Sequence, residues 1–451
     1  MTDNAASPGV ESTIRRLASA IAATRTRGPS GRLLSVSGTL IRAAAPVLHI
    51  GELCELRNPD GGAAMFGEVV ALDDGIAHIA PYGALAGLST RTEVVGLGRA
   101  PGLTVGPHLL GQVVDAFGAP LTRFADAPRA LPAAAPEWRA LNAPPPPPLK
   151  RMPIQRAFPV GLRAVDGLIT CGEGQRIGIF GSAGVGKSTL VSQIVTGAEA
   201  DVVVVSLIGE RGREVGDFIR RTIRPDKRDR TVMVVSTSDR PPIERMQAAL
   251  AATTIAEYFA DLGLRVLLVV DSVTRLARAL RDVGLSAGEP PTRRGFPPSV
   301  FATLPRLLER TGSRAQGSIT AFYTVLVEGE ASADPVAEEM RSLLDGQIVL
   351  TSRLADSAHF PAIDVLESRS RVMDLVTPPQ QRADAKRLRE LIAKFREVEL
   401  LLQVGEYRKG GDPVADLAVD RHRAIEAFLQ QGQDERVALP AIVAGLRKLV
   451  A

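Results

Sequence analysis

The sequence predicts an α/β protein. A phosphate-binding domain with a mostly parallel sheet is preceded by a small β-barrel and followed by a helical domain. Three observations carry this reading. Gly181-Ser182-Ala183-Gly184-Val185-Gly186-Lys187-Ser188-Thr189 fits the pattern G-x-x-x-x-G-K-[ST], with an apolar strand before it and helical apolar spacing after it. Apolar, β-branched runs alternate with helical patterns from Arg156 to about Thr377. Short apolar segments broken by Asp-Gly turns come before this region, and helical spacing alone comes after it.

The first observation already carries chemistry. Gln175–Phe180 reads as a short buried strand, and Leu190, Val191, Ile194 and Val195 recur at helical spacing. A strand, a glycine turn and a helix N-terminus aim backbone N–H groups and the positive end of a helix dipole at one point. Lys187 then reaches the β- and γ-phosphates of a nucleotide, and the Ser188 hydroxyl holds Mg²⁺.

Composition narrows the class. A chain of 451 residues exceeds what one core supports, so two or three domains are expected. Aromatics are only 4% of residues, which leaves the cores to Val, Leu, Ile and Ala. Lys+Arg 54 against Asp+Glu 50 gives a net charge of +4, too mild to argue for nucleic acid. The densest basic run, Arg220 to Arg230, reads as a solvated helix end and loop. Two cysteines, Cys54 and Cys171, lie far apart without metal-ligand spacing, which suits a reducing cytosol. No leader pattern and no bilayer-length apolar run are present, so a cytoplasmic location is expected, with docking on a membrane left open.

In chain order, residues 1–31 place Ile14, Leu17, Ala18 and Ile21 on one helical face among Arg15, Arg16, Arg25 and Arg27. Such a helix is too short to stand alone. It is either a frayed terminus or a docking helix for a partner or for anionic lipid. Residues 32–100 carry Leu33–Val36, Cys54–Leu56, Phe66–Ala71 and Ile76–Ala80, separated by Asp60-Gly61-Gly62 and Asp73-Asp74-Gly75. Closely spaced hairpins of this kind predict a small barrel, and the scarcity of aromatics gives it no base-stacking surface. Residues 101–155 contain the run Pro144 to Pro148 and read as an extended connector without a core. Residues 156–377 form the phosphate-binding domain, with strands at Asp201–Ile208, Thr231–Ser236, Arg265–Val270, Ser318–Leu326 and Gln347–Thr351. Between two of these, a helix begins at Pro241-Pro242 and stops at Gly263. Residues 378–451 are helical, with Leu388, Leu391, Ile392, Phe395, Val398 and Leu402 as one stripe.

Two acids complete the constellation. Asp271 ends the apolar strand Arg265–Val270 and suits a Mg²⁺ site. Glu210 follows the strand ending at Ile208, where a carboxylate can orient and deprotonate the hydrolytic water. Beside it, Arg211 can steady the loop or a phosphate.

Longer blocks narrow the reading. Gly209-Glu210-Arg211-Gly212-Arg213-Glu214-Val215 and Asp271-Ser272-Val273-Thr274-Arg275 resemble the family of F-type and type III secretion ATPases. Gly288–Phe301 and Ser318–Leu326 are similar to the type III secretion export ATPases in particular, and the resemblance extends from about residue 32 to the C-terminus. Glu399–Tyr407 and Val325–Glu330 resemble injectisome members more than flagellar ones. The resemblance implies a β-barrel, a RecA-like ATPase domain and a helical domain. It also implies ATP and Mg²⁺ as ligands, and a homohexamer with sites between subunits. Further implied partners are a peripheral stator or regulator at the N-terminal helix, a central coiled-coil stalk, an export gate, and secretion chaperones and effectors. The implied location is cytoplasmic, peripheral at the inner-membrane base of the secretion apparatus. Residue by residue, Lys187 and Ser188 match phosphate and Mg²⁺ binding, Glu210 the catalytic base, and Asp271 the Walker B acid. Phe360 falls where relatives place an aromatic against adenine, and Arg371 where they place an arginine finger.

The sequence departs from the family pattern at Arg369, in Ser368-Arg369-Ser370-Arg371, and at Thr351, in Leu350-Thr351-Ser352-Arg353. Arg369 is therefore a rival to Arg371. Two other functional classes remain to be separated at this level. A Rho-type ring helicase also pairs a small barrel with a RecA-like domain, but it needs an aromatic nucleic-acid face. A non-catalytic nucleotide-binding subunit would dispense with Glu210.

Overall fold

The computed structural model describes residues 30–45, 47–59, 61, 64–124, 135–327 and 334–451, together with Thr13. The docking helix expected over residues 1–31 thus lies almost wholly outside the described residues, as does Glu328–Glu330. The chain divides into two compact units, residues 1–101 and 102–451.

The first unit is a closed barrel of six strands. They are β1 (Ser30–Ser37), β2 (Leu40–Ala44), β3 (Leu53–Arg57), β4 (Met65–Asp73), β5 (Ile76–Tyr82) and β6 (Glu93–Gly96). Their order round the barrel is β1-β2-β5-β4-β3-β6, closed by antiparallel pairing of β1 with β6. Alternation decides which side chains point inward: Leu33, Ile41, Ala43, Cys54, Leu56, Val69, Ile79 and Val94 fill the interior. Asp74 (φ 45°) and Gly75 (φ 77°) make the two-residue turn between β4 and β5, which requires positive φ at both positions. The predicted barrel is present.

The second unit is built on a 10-stranded sheet. The strands of this unit begin with β7 (Gly102–Val105), β8 (Gln112–Val114), β9 (Pro120–Arg123) and β10 (Glu137–Ala140), and continue with β11 (Arg176–Gly181), β12 (Val202–Glu210) and β13 (Thr231–Thr237). The last are β14 (Arg265–Asp271), β15 (Gly312–Ser313), β16 (Ser318–Leu326), β17 (Gly346–Val349) and β18 (Arg369–Ser370). The order is β18-β17-β11-β16-β14-β12-β13-β8-β9, with β15 on β16 and with β7 and β10 paired separately. All neighbours from β17 to β8 are parallel, and antiparallel β18 and β9 close the edges.

Parallel strands are joined by crossovers that cover both faces of the sheet, so both sides of each strand are apolar. In β12, Val202, Val204 and Ile208 face one core, and Val203, Val205 and Leu207 the other. The helix Pro242–Asp261 lies in the first core and is buried all round. Its many alanines bring it close to the sheet, and Gly263 (φ 84°) ends it as the sequence implies. The helices Pro379–Gln403, Pro413–Leu429 and Leu439–Val450 place Leu388, Leu391, Ile425, Leu429 and Leu446 in the second core, beside Leu190 and Ile194 of the phosphate-loop helix. The helical region therefore shares a core with the nucleotide domain.

Residues 101–155 are more than an extended connector. β8 adds to the sheet next to β13, β9 flanks it, and β10 pairs with β7. Leu109, Leu110, Val113, Val114 and Leu141 supply apolar surface that this part of the chain buries. The proline run, which cannot donate ladder hydrogen bonds, stays outside strands and ends in a 3-10 turn at Pro148–Lys150. Behind it sits Arg310, only 2% exposed, which donates to Glu257, to Thr254 and to the Leu141 carbonyl.

Candidate active site

The phosphate loop leaves the carboxyl end of β11 at Gly181 and enters the helix Lys187–Gly197. Gly184 (φ 83°) and Gly186 (φ 93°) are both left-handed, which suits glycine. No atom stands within 4 Å of the position a Cβ on Gly184 would take. The loop is therefore an open cradle of backbone N–H groups at a helix N-terminus, a fit for polyphosphate. Lys187 Nζ donates to the carbonyls of Gly181 (2.8 Å) and Ser182 (2.6 Å). Burial pulls its pKa down to about 8, although Asp271 and Glu210 favour the charged form.

Three neighbouring elements converge on this loop. A cleft of 260 Å³ is lined by Ser188, Thr189, Glu210, Glu214 and Asp271, and by Gln433 from the C-terminal region. Asp271 ends β14 and is buried, and it accepts a hydrogen bond from Thr324 on adjacent β16. Its pKa is raised because burial outweighs that hydrogen bond. Glu210 ends β12, and the Arg275 guanidinium forms an ion pair with it while also donating to the Gly209 carbonyl at 2.8 Å. Burial pushes the Glu210 carboxyl up to about 7, aided by a hydrogen bond shared with Glu214 and opposed by Arg275. Glu214 is held low chiefly by that same hydrogen bond, so the pair titrates jointly.

The donor set fits Mg²⁺ with ATP. A hydroxyl and a buried carboxylate, at Ser188 and Asp271, are the oxygen donors this hard cation takes, and the cradle and Lys187 complement the phosphates. On the far side of the loop, two ring carbons of Phe360 stand 4.0 Å from where a Cβ on Gly186 would lie. Phe360 is 47% exposed, so a ring face remains open to a planar base. The Phe360 carbonyl accepts from the Gln431 N–H at 2.9 Å.

Other residues singled out in the sequence stand farther from the phosphates. Arg211 is exposed at the start of the helix Gly212–Thr222, 3.8 Å from Glu214. Arg369 and Arg371 are exposed at the β18 edge. β18 runs antiparallel to β17, and the Arg371 N–H donates to the Asp345 carbonyl, just before the amino end of β17. The phosphate loop follows the opposite, carboxyl end of the neighbouring parallel strand β11.

Sequence reasoning did not assign roles to Arg275, Thr324, Glu214 or Gln433. Arg275 was in view as the fourth residue after Asp271, and Thr324 as one of the polar residues of a largely apolar strand. Gln433, distant in sequence, carried no signal.

Residues 33–98 match the ATP synthase alpha/beta family beta-barrel domain, and residues 161–370 match its nucleotide-binding domain. Residues 377–448 match the T3SS EscN ATPase C-terminal domain. A type 3 secretion system ATPase of Sinorhizobium fredii is 53% identical over 91% of this chain and 90% of its own length. A flagellum-specific ATP synthase of Bacillus subtilis is 43% identical over 93% of this chain and 94% of its own. The assembled ATPase EscN of enteropathogenic E. coli superposes with a TM-score of 0.88 at 46% identity, covering 93% of this chain and 100% of that one. EscN is also known in complex with its central stalk EscO, at a TM-score of 0.85. With a phosphate cradle, a lysine and two acids arranged on this fold, the chain belongs to the type III secretion system ATPases and hydrolyses ATP.

Proposed function

We propose that the protein is a Mg²⁺-dependent ATPase that drives protein export at an injectisome, unloading and unfolding secretion substrates. The observation that carries the catalytic reading is convergence: Ser188, Glu210 and Asp271 come from the helix Lys187–Gly197, β12 and β14 onto a single cleft, and the neighbouring Lys187 feels the charges of Asp271 and Glu210. Lys187 and the backbone N–H groups of Gly181–Thr189 hold the β- and γ-phosphates. Ser188 and Asp271 hold Mg²⁺, which when bound draws charge from the phosphoryl oxygens. Glu210 takes the proton of the attacking water, for which a pKa near neutral is suited. Phe360 stacks on the adenine, and Arg211 steadies the Glu210 loop.

Arg371 acts on the site of a neighbouring subunit. It lies beyond the amino end of β17, on the side of the sheet away from its own phosphate loop, so it serves another chain's γ-phosphate. That role needs a ring, and a homohexamer is the assembly the resemblance implies. The solved EscN–EscO complex supports a central stalk partner. A regulator at residues 1–31, an export gate, and chaperones with effectors complete the proposed partners. Higher identity to a secretion ATPase, 53%, than to a flagellum-specific one, 43%, favours the injectisome. Among the described residues no helix is long and apolar enough to cross a membrane. A cytoplasmic protein docked at the inner-membrane base fits this reading. The proposed functional limits are 32–100 for the barrel, 156–377 for the ATPase domain and 378–451 for the helical domain.

The test is a pair of substitutions in the full chain. Glu210→Gln retains ATP binding and loses turnover, whereas Lys187→Ala loses both. Undiminished turnover in either folded variant would overturn the assignment.

A further inference from the structure

Phe360 faces the phosphate loop at Gly186, and the loop that carries it is tied to elements outside it. The loop Ser352–Asp364 follows β17 and carries Arg353, His359, Phe360 and Asp364. His359 is 3% exposed, and its Nδ1 lies 2.7 Å from Glu426 Oε2, on the C-terminal helix Pro413–Leu429. The His359 N–H donates to the Leu354 carbonyl, and the Phe360 carbonyl accepts from Gln431, just beyond the same C-terminal helix. Asp364 accepts from Arg396 of the helix Pro379–Gln403 at 2.8 Å. The loop is therefore held from outside by two C-terminal helices, and its only buried imidazole adjoins the ring that faces Gly186.

From this geometry we infer that His359 and Glu426 are positioning residues for ATP, acting through Phe360 and never touching the nucleotide. The inference rests on the reading that Phe360 stacks on the adenine. A buried imidazole has few rotamers, and a carboxylate bonded to Nδ1 selects the ring orientation. Because His359 and Phe360 are adjacent, anchoring the His359 ring and N–H restrains the backbone from which the Phe360 ring projects. Loss of the Glu426 carboxylate thus loosens the wall against the base and leaves the phosphate cradle as it was.

A base-free ligand separates these effects. Binding of Mg²⁺–ATP and of Mg²⁺–tripolyphosphate is measured on the full chain for Glu426→Ala, Glu426→Gln, Phe360→Ala and Phe360→Ala/Glu426→Ala. Stacking of a base on an aromatic ring sets the scale, so ATP binding weakens about tenfold in Glu426→Ala and at least as much in Phe360→Ala. Tripolyphosphate binding stays the same in both. Glu426→Gln, which still accepts from Nδ1–H, binds ATP nearly as the unmodified chain does. In the double variant Glu426→Ala adds nothing to Phe360→Ala, the mark of residues acting as one unit. Equal weakening of both ligands would make the pair merely structural, and additive losses would make it independent of Phe360. If Phe360→Ala weakens ATP but Glu426→Ala does not, the positioning role alone falls. If Phe360→Ala leaves ATP untouched, the adenine reading falls and takes the inference with it.

Discussion

Thr324 and Asp271 stand at the same level of adjacent parallel strands, and the threonine hydroxyl donates to Asp271 Oδ1 across 2.5 Å. The bond orients a buried carboxylate and offsets part of the cost of keeping it charged. Thr324→Val keeps the shape and removes the donor. The expected result is a rise of roughly tenfold in the Mg²⁺ concentration for half-maximal hydrolysis, the usual scale for losing a partner of a metal ligand. Excess Mg²⁺ restores most of the rate. An unchanged Mg²⁺ titration would show that Asp271 needs no such support.

The acid side of the pH–rate profile reports Glu210. A base with a pKa raised to about 7 is protonated, and inactive, as the pH falls through that value. Hence kcat/KM declines below neutrality, unlike a site with an ordinary glutamate. Arg275 pulls this pKa down through its ion pair, so Arg275→Ala moves the acid limb to higher pH. On the alkaline side, Lys187 loses its proton as pH rises through about 8, and nucleotide affinity falls with it. An acid limb below pH 5 in the unmodified protein would contradict the burial-driven shift.

Arg371 is tested by mixing. Arg371→Ala and Lys187→Ala are each inactive alone, and a finger contributes on the order of 10³–10⁵ in rate. Mixed assemblies contain some interfaces with both residues intact, so activity partly returns. Recovery that fails despite demonstrated co-assembly rules out action between subunits. Near-normal activity in Arg371→Ala transfers the role to Arg369.

Arg310 offers a stability test away from catalysis. Its guanidinium is buried against Glu257, and removing it leaves that carboxylate with Arg314 alone. Arg310→Ala should lower unfolding stability by about 3–5 kcal/mol, measured by denaturant titration of the full chain. Arg310→Met/Glu257→Leu, which removes both charges, should recover most of the loss. A single variant as stable as the parent would show that the pair contributes little.

Local signals account for what the sequence revealed. The phosphate loop, the Asp271 strand end and the Glu210 strand end are each written within ten residues, and the structure gathers them round one cleft. The barrel was legible from its hairpin turns, and the long helix from Pro242 and Gly263. What stayed hidden depends on distant pairing. β8 is three residues long and gains its place only by lying next to β13. The Glu426 contact to His359 spans 67 residues and has no local signature. The Thr324 hydroxyl reads as an ordinary strand residue until β14 is set beside it.

The cleft at the phosphate loop takes Gln433 from a segment that follows nearly all the rest of the chain, and the loop carrying Phe360 is tied to Glu426 through His359 and to Gln431 through the Phe360 carbonyl. This orders events during synthesis. A ribosome that has completed the phosphate loop and both acids still holds a chain without the groups that finish the site. The full cleft, with the Phe360 loop tied down, therefore forms only after translation has passed the helix Pro413–Leu429 and Gln433.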